Sequence, residues 1–140
     1  MAGGNGLTDV HVHAYAYVHV DEDNAEAART LYQQARAAMA AGDRSAAISQ
    51  FTESAQLQPH FKTYELLGEC LLAEGQVTQA ILYLSAAVGL GRKTFRAHYL
   101  LATALLELGA PEDAREQLII ALELQPNYSS AERLLEQLRG

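Results

Sequence analysis

The chain has 140 residues, 49% apolar and 19% charged, with a formal net charge of −7. That length suits one domain or one short repeat array, and the composition excludes a globally disordered chain. The acidic balance argues against a protein that lives on nucleic acid or anionic membrane, and the single cysteine, Cys70, excludes an intrachain disulfide or a cysteine metal cluster.

Residues 1–8 read as a flexible, glycine-rich start. They carry neither the basic region and apolar core of a secretory signal nor the second-position glycine of a myristoylation site. No apolar run approaches the roughly 18–20 residues that span a bilayer. The expectation is a cytoplasmic protein.

Residues 9–21, DVHVHAYAYVHVD, alternate without a break, which is the period of a strand. One face carries Val10, Val12, Ala14, Ala16, Val18 and Val20; the other carries His11, His13, Tyr15, Tyr17 and His19 between two aspartates. Nothing else in the chain reads as a strand, and Ala14-Tyr15-Ala16 has no turn chemistry for an internal hairpin. The segment is nearly palindromic about Tyr15. Two copies paired antiparallel there set Val10 against Val20, Val12 against Val18 and Ala14 against Ala16. Each such pair contributes roughly 0.2–1 kcal/mol. The strand is therefore expected to pair with a second copy of the chain, giving a dimer, or a tetramer if two ribbons cover each other. His11 and His13, with a partner's His19, have the spacing to share a metal ion; chance binding explains such a pattern better than a built site, so no metal and no cofactor is expected.

Asp23 offers a helix cap with Glu26 three residues on, which predicts a helix from Asn24. From there a pattern recurs. Gly42, Gly75 and Gly109 stand 33 and 34 residues apart. Ala47, Ala80 and Ala114 keep that spacing, as do Phe51, Leu84 and Leu118. In each unit an apolar-periodic helix ends at the glycine, which suits a left-handed closing residue. A second helix follows, with a small residue for close approach and a bulky one a turn later on the same face. Pro59 and Pro126 stop two of these second helices. One such pair cannot bury its apolar face alone, so pairs stack. The second unit ends GLGRKT, with Arg92 in place of a proline, and Gly89 and Gly91 predict a looser or differently bent junction. Residues 129–140, with Leu134, Leu135 and Leu138, read as a capping helix.

This pattern resembles the tetratricopeptide repeat family. Leu67-Gly68, Leu71, Gly75, Ala80, Leu84 and Ala87 carry the resemblance in the second unit; Leu101-Ala102, Leu105, Gly109, Ala114, Leu118, Ala121 and Pro126 carry it in the third. The first unit is weaker, with Gln34 where leucine is usual. The repeats are placed at 28–60, 61–94 and 95–128 within 24–128. The resemblance implies an all-α solenoid, here preceded by the one strand, whose first helices line a concave groove. Groove positions would then fall at Arg29, Lys62 and Arg96, at Tyr32, Glu65 and Tyr99, at Arg36, Glu69 and Thr103, and at Leu66 and Leu100. A cation at the same place in each unit would make a basic ladder suited to an acidic peptide. Some family members hold the free C-terminus of heat-shock chaperones with a Lys, Asn and Arg clamp. Tyr32, Arg36, Leu66 and Leu100 replace most of it here, so chaperone-tail binding is not expected.

No catalytic constellation accompanies this pattern. Cys70 lies among Leu67, Leu71 and Ala73, as a packing cysteine does. His98 reads as a hydrogen-bonded residue at the core edge, and His60 falls in an inter-repeat turn. There is no HExxH and no phosphate loop. The expected function is a non-catalytic interaction scaffold that binds a protein or peptide and self-associates. The alternatives are a secretion-type chaperone for an export substrate and a self-assembling structural protein.

Overall fold

The structure is a computed structural model that describes residues 22–139, and among these it is entirely helical. Seven helices follow one another: α1 (22–40), α2 (Arg44–Leu57), α3 (Phe61–Ala73), α4 (Val77–Leu90), α5 (Phe95–Leu108), α6 (Pro111–Leu124) and α7 (Ser129–Arg139). The strand expected at residues 9–21, with its histidines, lies outside the described residues. One boundary differs from the sequence expectation. Residues 22 and 23 are already helical, so Asp23 sits inside α1 rather than capping it. Glutamate is among the better helix formers, so Glu22 and Glu26 carry the helix through Asp23.

The three recurring glycines close α1, α3 and α5 in one way. Gly42, Gly75 and Gly109 have φ of +83°, +78° and +87°. At each, the following amide reaches back five residues: Asp43 to the Ala38 carbonyl, Gln76 to Leu71, and Ala110 to Leu105, all at 2.9 Å. This is the Schellman closure, and it needs a left-handed residue that glycine adopts without a Cβ penalty. The next helix starts at once. Asp43 accepts from the Ala46 amide at 3.1 Å to begin α2. Pro111 occupies the first turn of α6, where its missing N–H costs nothing, and Glu112 and Asp113 face the positive end of that helix.

The small and bulky positions behave as their spacing predicts. Ala47, Ala80 and Ala114, and with them Phe51, Leu84 and Leu118, are fully buried. Phe51 and Leu84 anchor one core with Ala35, Leu67, Leu71 and Leu101. Leu118 anchors a second with Ala102, Ala121 and Leu135, and Tyr99 and Leu105 border both. Burying one such large side chain contributes about 1.5–3 kcal/mol, so the stack coheres by successive overlap rather than around a single centre. α7 closes the array by burying Ala131 and Leu135.

The junction after α4 is tighter than its glycines suggest. α4 continues through Gly89 to Leu90. Gly91 then runs extended beneath the Phe61 ring, where a Cβ would lie 2.9 Å from Phe61 Cγ. Thr94 beside it is buried. Glycine here gives close approach rather than looseness, because the Thr94 methyl and the Phe61 ring occupy the space a side chain would need.

Candidate partner-binding face

Three independent features place α1, α3, α5 and α7 side by side along one face. A cavity of about 300 Å³ lies between α1 and α3, lined by Ala28, Arg29, Tyr32 and Gln33 of α1, Ser54 and Gln58 at the end of α2, and His60, Lys62 and Thr63. Ion pairs join α3 to α5. A second cavity, of about 230 Å³, lies between Tyr99 of α5 and Ser130, Arg133, Leu134 and Gln137 of α7.

The walls of the first cavity are held in place. The buried Ser54 hydroxyl donates to the Ala28 carbonyl at 2.7 Å, tying α2 to α1. Tyr32 packs edge-on against Phe51 with ring centroids 5.8 Å apart, and the Arg36 guanidinium lies 5.9 Å from the Tyr32 ring centroid. His60 caps α3 by accepting from the Lys62 amide at 3.1 Å and stacks on Phe61. Arg29 and Arg36 are both exposed.

The middle of the face departs from the expected basic ladder. Lys62 Nζ lies 2.7 Å from Glu65 Oε2, and Arg96 donates to the same oxygen at 3.2 Å. Arg96 also bonds Glu69. Glu65 is only 2% exposed, whereas Lys62 and Arg96 are 41% and 36% exposed. A carboxylate withdrawn from water in this way requires opposite charge and hydrogen bonds, and here it has two cations. Burial, the largest influence on Arg96, works against its charge. The bonds and charges of Glu69 and Glu65 outweigh it and hold the guanidinium above the ordinary arginine pKa. Two of the three cations of the ladder are therefore engaged within the protein.

The remaining expected groove residues divide by depth. Leu66 and Tyr99 are half-buried and pack against the core. Leu100 is 8% exposed and belongs to the core itself, so it offers almost no surface. Thr103 turns its hydroxyl onto the Leu100 carbonyl at 2.7 Å, closing a local bond instead of presenting it outward. Tyr128 extends the face: its ring sits edge-on to both Phe95 and Tyr99, and burial raises its phenol pKa. Sequence reasoning missed Gln33, Thr63, Tyr128 and Arg133. Only the three-residue spacing of Lys62 and Glu65 hinted at the ion network.

Outside this face, Cys70 is buried, and burial first, then the Glu69 carboxylate, pushes its thiol pKa up. That is the opposite of what a nucleophile needs. His98 bonds Gln117 at 2.7 Å between α5 and α6. No group of three or more metal-ligating side chains occurs among the described residues, and none of the described helices is long and apolar enough to cross a membrane.

Residues 31–119 match the family model described as anaphase-promoting complex, cyclosome, subunit 3. No curated protein matches the chain. Among solved structures, the Arabidopsis OM64 tetratricopeptide repeat domain superposes with a TM-score of 0.80 at 24% identity, over 83% of this chain and 97% of that one. The first such domain of Spaghetti (RPAP3), bound to the HSP90 peptide SRMEEVD, gives 0.79 at 21% identity, over 82% and 92%. The Yersinia enterocolitica type III secretion chaperone SycD, in complex with a peptide of the translocator YopD, gives 0.75 at 25% identity, over 79% and 91%.

Proposed function

Because this chain belongs to the tetratricopeptide-type family described as anaphase-promoting complex, cyclosome, subunit 3, we propose that it is a non-catalytic scaffold that binds a protein or peptide segment along α1, α3 and α5. The repeats are taken as 28–60, 61–94 and 95–128, with residues 129–140 as the cap. The observation that carries this reading is the cavity of about 300 Å³ where Arg29, Tyr32 and Lys62 converge from two helices. It combines an aromatic wall, the exposed Arg29 and a capped helix start, the mix by which a concave site orients a polypeptide. The RPAP3 and SycD domains are both described with peptides bound, which supports the same use here. The test begins with affinity purification and mass spectrometry to identify the partner. Its affinity is then measured for Tyr32→Ala and for the triple change of Arg29, Lys62 and Arg96 to Glu. Both should weaken binding at least tenfold, and an unaltered affinity in both refutes the assignment.

A secretion-type chaperone role is the second reading, supported by the likeness to SycD. Coexpression distinguishes it: a chaperone should keep a small exported protein soluble and should copurify with it. Self-association through residues 9–21 belongs to the same proposal. Antiparallel pairing about Tyr15 is supported by the alternation and pseudo-palindrome of that segment. Light scattering should give a dimer or tetramer for the full chain and a monomer for a chain beginning at Glu22 or carrying Tyr15→Pro. A full-length monomer at micromolar concentration refutes it.

A further inference from the structure

We propose that Glu65 and Glu69 determine the specificity of the middle of this face: by engaging Lys62 and Arg96 they shut those cations to a carboxylate-bearing segment and leave a place for an uncharged stretch of polypeptide. The inference rests on reading α1, α3 and α5 as the partner-binding face. An acidic segment laid across α3 and α5 would seek the Lys62 ammonium and the Arg96 guanidinium. Both already bond Glu65 Oε2, at 2.7 and 3.2 Å, and Arg96 bonds Glu69 as well. These two cations and two carboxylates sum to no net charge. An incoming carboxylate would therefore meet repulsion from two like charges as well as attraction from two unlike ones.

Glu65 does not step aside. Its side chain is 2% exposed and lies at the base of the network, with the cations above it. Displacing it would leave a buried carboxylate without its partners. The aromatic surface next to the network is built for uncharged contact: Tyr99 and Tyr128 meet edge to face, with ring centroids 5.4 Å apart. Charge changes along the face. On α1, Arg29 and Arg36 are exposed and form no ion pair among the described residues. A fitting partner places its acidic residues over α1 and an uncharged run over α3 and α5.

The test compares two probes on the full chain by calorimetry: the heptapeptide SRMEEVD, and an analogue with Gln, Gln and Asn for its acidic residues and an amidated end. The Glu65→Gln/Glu69→Gln protein should gain at least tenfold in affinity for the acidic peptide and be unaltered toward the analogue. Adding Arg96→Gln should abolish the gain. Glu107→Gln/Glu123→Gln changes the net charge equally at exposed sites away from the network and should give no gain. Glu69→Gln alone touches a side chain that is 28% exposed and should show a smaller gain of the same sign, should the double variant lose its helical circular dichroism. No gain in either variant, or an equal gain in the Glu107/Glu123 control, overturns the proposal. Failure of the face itself reads differently, as native-partner binding that survives both Tyr32→Ala and the triple change of Arg29, Lys62 and Arg96 to Glu.

Discussion

Gly68 lies within α3 where that helix crosses α4, and replacing it by alanine sets two effects of known size against each other. An alanine inside a helix is favoured over glycine by about 0.8–1.0 kcal/mol. The added methyl, however, would sit 2.5 Å from Leu84 Cγ and 2.6 Å from Leu84 Cδ2. Carbon atoms prefer about 3.5–4.0 Å, so the overlap is about 1 Å at two atoms. Leu84 cannot swing away, because it is fully buried in the core formed by α1 to α5. Overpacking of a closed core costs about 1–3 kcal/mol, and a clash with the branch point of a trapped side chain falls in the upper part of that range. Gly68→Ala should therefore lose about 1–2 kcal/mol net. Gly89→Ala is the matched control: it lies in α4, and a Cβ there meets nothing within 4 Å. Only the propensity effect remains, and the protein should gain about 0.5 kcal/mol. The two variants should differ by about 2 kcal/mol, which for a chain of this size is about 6–12 °C in Tm. Urea and thermal unfolding followed by helical circular dichroism read this directly. In a Leu84→Ala background the Gly68→Ala penalty should vanish, because the atoms it strikes are gone. Equal stability of the two alanine variants would refute the close α3–α4 approach.

Cys70 should resist a thiol reagent in the native protein at pH 8 and react at once in denaturant; rapid native labelling would contradict its burial and raised pKa. Through the same shift, its contribution to stability should be intact below a free thiol's pKa of about 8.5 and decline above it, because the unfolded chain releases that proton first. Gln117→Ala should cost about 1 kcal/mol by removing the bond to His98 that ties α6 to α5, measured as a lowered urea midpoint. Partner binding should weaken as salt rises if Arg29 and Arg36 make its charged contacts, since exposed charges are screened over about 8 Å at physiological ionic strength; a salt-independent Kd would argue for purely apolar docking.

The helix boundaries were legible from Gly42, Gly75 and Gly109 because a left-handed closure is a local demand that glycine meets cheaply. The buried positions were legible from Ala47, Ala80 and Ala114 with Phe51, Leu84 and Leu118, because a fixed spacing on rigid helices repeats the same packing in each pair. The ion network was not. The sequence shows three cations at equivalent places, and equivalence suggests equal freedom. Whether Arg96 meets Glu65 and Glu69 depends on how closely α5 lies to α3, and that distance is set by the packing between pairs rather than by any motif within one. Gly91 carries the same lesson. Read alone it loosens the chain; beneath the Phe61 ring it closes the junction. Backbone closure and amphipathic spacing act within a few residues and are written in the sequence. Charge neutralisation and the depth of Leu100 follow from which helices become neighbours, which only the tertiary structure decides.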